Sequence, residues 1–268
     1  MTRLCQLYGV TRAGFYAWRR RPVSAHAKQD RALLARIRAH FAAHDGRYGS
    51  PRIHHRLVQE GWAVSRRRVA RLMRAARLCA KAVRGYRAKV GVHRFYGRHP
   101  NLLRTARAMA PDQIWVGDIT YLAVGGQWRY LAVVMDHFSR RVLAWGLGRR
   151  RDASVTRAVL GTAVHRRHPA PGLIFHRDRG SEYLAAPFRE PLLAFGIRQS
   201  ANVTGPGDNA QMESFFHSMK AELTRGVTFT DERTLRQDLE TYLRYYNRTR
   251  LHSALGYRSP VDFEYLKS

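Results

Sequence analysis

Three apolar runs rich in Val, Leu, Trp and Tyr follow one another from residue 113 to residue 148: QIWVGDITYLAV, WRYLAVVMDHFS and VLAWGLG. Only Gly125-Gly126 with Gln127, and then Arg140-Arg141, stand between them, so the chain must reverse direction twice within a few residues. Runs of this kind joined by turns this short predict an antiparallel meander of three strands. The all-β pattern then breaks. A helical stretch over residues 152–165 leads through Pro169, Pro171 and Gly172 to LIFHRD, followed by a helix over 187–195, a strand over 197–201, a glycine-rich loop and the helix of DNAQMESFFHSMKAEL. Three strands followed by β-α alternation predict an α/β fold, a ribonuclease-H-like mixed five-stranded sheet flanked by helices.

Ahead of the meander the chain reads as helical and basic. Residues 1–110 hold 26 Lys and Arg against Asp30, Asp45 and Glu60, a net of +23, whereas residues 111–268 have a net of +6. Leu33, Leu34, Ile37 and Phe41 form a helical stripe within residues 24–43. Ser50-Pro51 can start a second helix that Gly61 breaks, and Ser65 can cap a third that runs to about residue 78. The last two have helix-turn-helix proportions, so a smaller all-α region precedes the sheet. Val69, Leu72, Met73 and Ala76 share one side of the third helix, which spreads Arg66, Arg67, Arg68, Arg71, Arg74 and Arg77 over the rest. With no acid close in sequence, these arginines are expected to need an outside anion.

Arginine outnumbers lysine 43 to five, which favours bidentate contacts to phosphate, so double-stranded DNA is the expected partner; a membrane surface or a ribosome would also accept the charge. The organisation expected is a helical segment over 1–44, a helix-turn-helix-like DNA-binding region over 45–80, a basic linker over 81–108 lying along DNA, a catalytic core over 109–226 and a helical C-terminal extension over 227–268. No apolar run long enough to span a bilayer and no signal core appear, so the chain is expected in the cytoplasm. Two cysteines, Cys5 and Cys79, are too few and too far apart for a disulfide framework or a metal knuckle, and Cys79 is expected to pack in a core.

Three carboxylates stand out against this basic background. Asp118 interrupts a strand whose neighbours Trp115, Val116, Ile119, Tyr121 and Leu122 suit burial, a costly place for an acid unless it is paired or binds a cation. Asp178 ends LIFHRD before a turn, at the strand edge where α/β sites lie. Asp208 or Asn209 can cap the next helix, placing Glu213 in its first turn or so, with His217 and Lys220 on the same face. Each acid also has an ordinary use, as a strand-turn aspartate, a turn former before Gly180 and a helix N-terminal acid. Together, without a cysteine cluster, they describe an oxygen-ligand site for Mg2+ or Mn2+, and two such ions about 4 Å apart suit phosphodiester chemistry.

WVGDITY, HRDRGSEY and DNAQMESFF closely resemble the three catalytic blocks of insertion-sequence transposases of the IS-three type, second reading frame product, in the DDE or retroviral-integrase superfamily. RYGSPRIHHRL is similar to the helix-turn-helix block that precedes their core, and YYNRTRLHSALGYRSPVDF to their C-terminal block. The resemblance implies that Asp118, Asp178 and Glu213 are the catalytic, metal-binding triad. It implies Lys220 at the donor DNA, His176 behind the ligands and Asn209 shaping the entrance of the helix. Asp136 matches a commonly acidic position outside the triad, for which a structural role is expected. Between Asp178 and Glu213 lie 34 residues, one fewer than family members usually have, with the deficit in SANVTGPGDNA. Arg177 stands where the family more often has a small residue and Glu182 where it more often has glutamine, changes expected to alter metal affinity or DNA placement.

The function expected is a bacterial transposase, a polynucleotidyl transferase that cleaves DNA at an element end and joins the freed 3′-hydroxyl to another strand, found with the nucleoid. The alternatives are a catalytically inert DNA-binding remnant or regulator, and a nuclease that only hydrolyses. Homo-oligomers on DNA are expected. The resemblance also implies a partner from an upstream overlapping frame, because the chain starts at Met1 without a leucine heptad array and reads as the unfused product.

Overall fold

The computed structural model describes residues 1–81, 100–178, 180–202 and 209–266. Most of the expected linker, Asp208 and the glycine-rich stretch before it lie outside the described residues. The chain divides into two compact units, residues 1–81 and residues 82–268.

The first unit is all helical: α1 (Thr2–Leu7), α2 (Arg12–Arg20), α3 (Ala25–Ala43), α4 (Ser50–Gln59) and α5 (Arg66–Ala75). Capping sets the starts. Ser24 accepts from the Ala27 amide and Ser65 from the Arg68 amide, each satisfying one of the orphan donors of a first turn. Leu33 and Ile37 of α3, Ile53 and Leu57 of α4, and Val69, Leu72 and Met73 of α5 form the buried set. Two expectations are corrected here. Helix α5 stops at Ala75 instead of reaching residue 78, because Arg77 turns left-handed (φ 54°). The chain thereby leaves the core before Cys79, which is exposed, while Cys5 is the buried thiol.

The second unit contains a five-stranded sheet in the order β3-β2-β1-β4-β5, formed by β1 (Ile114–Val124), β2 (Gln127–Asp136), β3 (Val142–Gly148), β4 (Ile174–Arg177) and β5 (Arg198–Ala201). The first three strands are antiparallel, as the tight turns require, and β4 and β5 run parallel to β1. Gly125 and Gly126 both have positive φ (52° and 73°), the two-residue hairpin geometry that matches strand twist. A Cβ on Gly125 would also lie 2.8 Å from the Thr230 carbonyl.

Alternation along the strands feeds two cores. Val116, Leu122, Val124, Leu131 and Val133 pack on one side with α9 (Ala210–Met219) and α10 (Glu232–Arg248). Trp115, Ala132, Val134 and Phe175 pack on the other with α6 (Ala153–Arg167) and α8 (Ala186–Ala194), which follows the short α7 (Ser181–Leu184). A terminal helix, α11 (Pro260–Tyr265), completes this layered α/β unit. No helix among the described residues is long and apolar enough to cross a membrane.

Candidate active site

Strand β1 places Asp118 on the side that faces α9, since Val116 and Leu122, an even number of residues away, enter that core. The parallel partner β4 is aligned so that Val116 meets His176 and Gly117 meets Arg177. Asp118 and Asp178 each follow directly on that last paired position, and the charge of Asp178 reaches Asp118. Gly117 permits this alignment, because a Cβ there would lie 2.4 Å from Phe175 Cζ, whose ring crosses β1. The two acids therefore lie close enough to interact.

Their local bonds are modest. The Ile119 amide donates to Asp118 Oδ1 (2.7 Å) and the Gly180 amide to Asp178 Oδ1 (3.0 Å). Burial, and then the charge of Asp178, push the Asp118 carboxyl up to about 8 against the relief from Ile119 and Arg151. Arg151 Nη2 is 3.8 Å from Asp178 Oδ2, but Nε and Nη2 both donate to Glu182 Oε1, at 3.0 and 2.9 Å. The acid that Glu182 adds beside Asp178 thus carries its own counter-charge. Arg177 points to the opposite side of the sheet, fully buried, with its guanidinium 6.0 Å from the Tyr183 ring centroid. It donates to the Asp178 carbonyl (3.2 Å), while Nε and Nη2 have no partner among the described residues, and burial pushes its pKa down.

Glu213 sits half-buried in the first turn of α9, a helix anchored by Met212, Phe215, Phe216 and Met219 as their spacing predicts. It makes no hydrogen bond or ion pair to a described residue, and among the described residues no three His, Cys, Asp or Glu side chains converge closely enough to hold an ion. The charge of Asp178 reaches Asp118, and Glu213 lies in the first turn of α9, the helix that packs on their side of the sheet. Lys220 begins a π-helical turn, Lys220–Thr224, directly after α9. Its Nζ lies 4.4 Å from the Tyr121 ring centroid; burial pulls its pKa down while Asp118 pushes it up, placing this cation by the aspartate pair.

His176 is buried, 2.8 Å from Ser200 Oγ through Nδ1 and 2.6 Å from Asn202 Oδ1 through Nε2, which ties β4 to the end of β5. Asn209 occupies the N-cap of α9 but makes no capping bond, and neither amide atom of its buried side chain has a partner among the described residues. The sequence reading missed Arg151, which lies in the run Arg149-Arg150-Arg151 with nothing to set it apart from its neighbours. It also missed the buried pair of Glu222 and Arg250 (2.6 Å), to which Tyr242 donates (3.1 Å) and which secures the turn carrying Lys220.

In the helical unit the arginines of α5 divide into two groups. Arg66, Arg67 and Arg74 are exposed without an ion pair among the described residues. Arg68 and Arg71 are held by Asp30 of α3, at 2.8 and 2.6 Å. The expectation that no acid is near them is corrected: Asp30 is distant only along the chain.

Residues 108–206 and 196–260 match integrase core domain families, and residues 28–86 match an HTH-like domain. The transposase for insertion sequence element IS904 of Lactococcus lactis subsp. lactis is 37% identical over 254 residues, covering 91% of this chain and 98% of that protein. The transposase InsF for insertion sequence IS3A of Escherichia coli K12 is 36% identical over 268 residues, covering 97% and 92%. Among solved structures, a chain of the simian T-cell lymphotropic virus intasome, in complex with PP2A regulatory subunit B56 gamma, aligns with a TM-score of 0.51 at 18% identity. It covers 85% of this chain and 73% of that one, a likeness of fold.

Proposed function

The chain belongs to the IS3-type insertion-sequence transposases with an integrase core, and from that premise we propose that it cuts and rejoins DNA by metal-dependent phosphoryl transfer at Asp118, Asp178 and Glu213. The observation that supports this reading is the register of β1 and β4, which ends with Gly117 opposite Arg177, one residue before each aspartate. Their oxygens are the hard donors that suit Mg2+ or Mn2+. The fit is also energetic, because a divalent cation would remove the repulsion that helps hold the Asp118 carboxyl at about 8. Bound there, a pair of such ions would help activate a water or 3′-hydroxyl and stabilise the leaving oxygen.

The chain's own residues divide the remaining work. Lys220, beside Asp118 and over Tyr121, takes the phosphodiester next to the cut bond. Arg151 binds Glu182 and so keeps that acid from competing for the cation. His176 fixes the strand edge from which Asp178 projects, and α9 delivers Glu213 from its first turn with Asn209 at the entrance. In the helical unit, Arg66, Arg67 and Arg74 meet duplex DNA first, and Arg68 and Arg71 follow to the extent that Asp30 releases them. Homo-oligomers on DNA and a partner from an upstream frame complete the reading.

The test is a strand-transfer assay on a duplex bearing the element's end, with Mg2+ or Mn2+ supplied. Wild type should give joined product and Asp178→Asn none. Equal behaviour of the two would sink the enzymatic reading, and nicking without joined product would reduce it to hydrolysis.

A further inference from the structure

We propose that residues 2–21 form a second helix-turn-helix, with α2 as the helix that lies against duplex DNA. This rests on the transposase reading, which makes DNA the polyanion at hand. The pair lies outside residues 28–86, where the HTH-like match falls.

Its backbone has the required form. A four-residue connection, Tyr8 to Thr11, joins α1 to α2, and helix-turn-helix units use turns of three or four residues that often contain glycine. Gly9 supplies the left-handed step (φ 62°), with open space where a Cβ would be, so conformation is what selects glycine. The Val10 amide donates to the Cys5 carbonyl (2.9 Å), closing the turn, and Thr11 caps α2 by accepting from the Gly14 amide (3.0 Å). Cys5 is buried as the inward residue of α1, and Phe15 of α2 is half-buried.

The surface has the required charge. Residues 1–29 hold six Lys and Arg and no acid. Arg3, Arg12, Arg19, Arg20 and Arg21 are all exposed, and none makes an ion pair or side-chain hydrogen bond to a described residue. Arg12, Tyr16, Arg19 and Arg20 fall at i, i+4, i+7 and i+8, so they form one stripe along α2. Tyr16 is 36% exposed, and Trp18, off the stripe, is 67% exposed. Helix α5, by contrast, has two arginines already answered by Asp30. The charge of α2 has no such answer among the described residues, and a row of phosphates supplies one.

The full-length protein can be titrated against labelled duplex DNA by fluorescence anisotropy at a series of salt concentrations. Replacing Arg12, Arg19 and Arg20 together by Ala should lower the slope of log affinity against log salt by about 2 to 3, since each phosphate contact contributes roughly 0.9. The corresponding Arg→Lys triple variant should keep most of the slope and controls for folding. An unchanged slope in the Ala triple variant overturns the proposal. So does an unchanged slope accompanied by a smaller sedimentation coefficient, which would make the helix pair a contact between copies of the chain. If wild type binds no duplex at all, the transposase reading falls with it; if wild type binds regardless of the α2 substitutions, only this proposal falls.

Discussion

Two groups of acids in the C-terminal unit are built on opposite plans. At the end of β2, Asp136 accepts from the Asp112 amide (2.8 Å), the Ser139 amide (2.7 Å) and the Ser139 hydroxyl (2.9 Å). The same knot holds Glu264 with Arg141 and Arg167, and Arg167 also binds Asp112 at 2.6 Å. Every acid there has a donor from elsewhere in the fold. Asp118 of the neighbouring strand β1 and Asp178 at the end of β4 have each other, one backbone amide apiece and, for Asp178, Arg151 at 3.8 Å. Acids that the chain satisfies fix its shape, and acids that it sets against each other leave work for an outside cation.

Substitution at the second group should show the largest effect. Asp178→Asn is expected to reduce strand transfer by about 10^4-fold, some 5 kcal/mol of barrier. Its melting temperature should stay level or rise, because the charge that opposes ionisation of Asp118 is gone. A loss of stability in step with the loss of activity would erase the distinction between the two groups.

The fully answered pair of Glu222 and Arg250 tests the other plan. Both side chains are buried, so Arg250→Met strands a carboxylate and should cost roughly 3–5 kcal/mol of stability. Denaturant unfolding measures it. A cost near zero would mean that the turn carrying Lys220 is held by packing alone.

Within the knot, Asp136→Asn should cost roughly 2 kcal/mol, because the new amide group must turn a donor toward the N–H of Asp112 or Ser139. Turnover per folded molecule should be unchanged, the reverse of Asp178→Asn. If activity falls while stability holds, Asp136 belongs with the acids of the site.

What could be read from the sequence follows the range of the interaction involved. Ser65 caps the helix it was expected to cap, Ser24 and Asp152 stand as caps at the first residues of the expected helical stretches, and the glycine pair makes the expected hairpin, since these are decided within four residues. The aspartate pair was legible because an acid inside an apolar strand and another at a strand end are local anomalies. Pairings that close over long stretches of chain were not: Arg151 with Glu182, Glu222 with Arg250 and Asp30 with Arg68 each join residues whose proximity only the fold creates. Cys79 was misplaced for a related reason. The left-handed Arg77 that turns it outward carries no sequence signal, being neither Gly nor Asn.

The smallest stability effect should come from Asp30, and it carries the comparison into the helical unit. Asp30 is an acid answered within the chain, yet its partners Arg68 and Arg71 lie on the helix whose other arginines are free of ion pairs among the described residues. Those two bonds pull its pKa down, Arg71 first and Arg68 next. In Asp30→Asn the helix keeps its apolar contacts through Val69, Leu72 and Met73, so thermal stability should barely move. DNA binding should change in the opposite direction from an ordinary loss of contact. With Asp30 neutral, Arg68 and Arg71 are released, and the salt dependence of duplex affinity should steepen by about 1 to 2 in slope. A slope that stays constant would show that both arginines serve only to join α3 to α5, leaving Arg66, Arg67 and Arg74 as the DNA contacts of that helix.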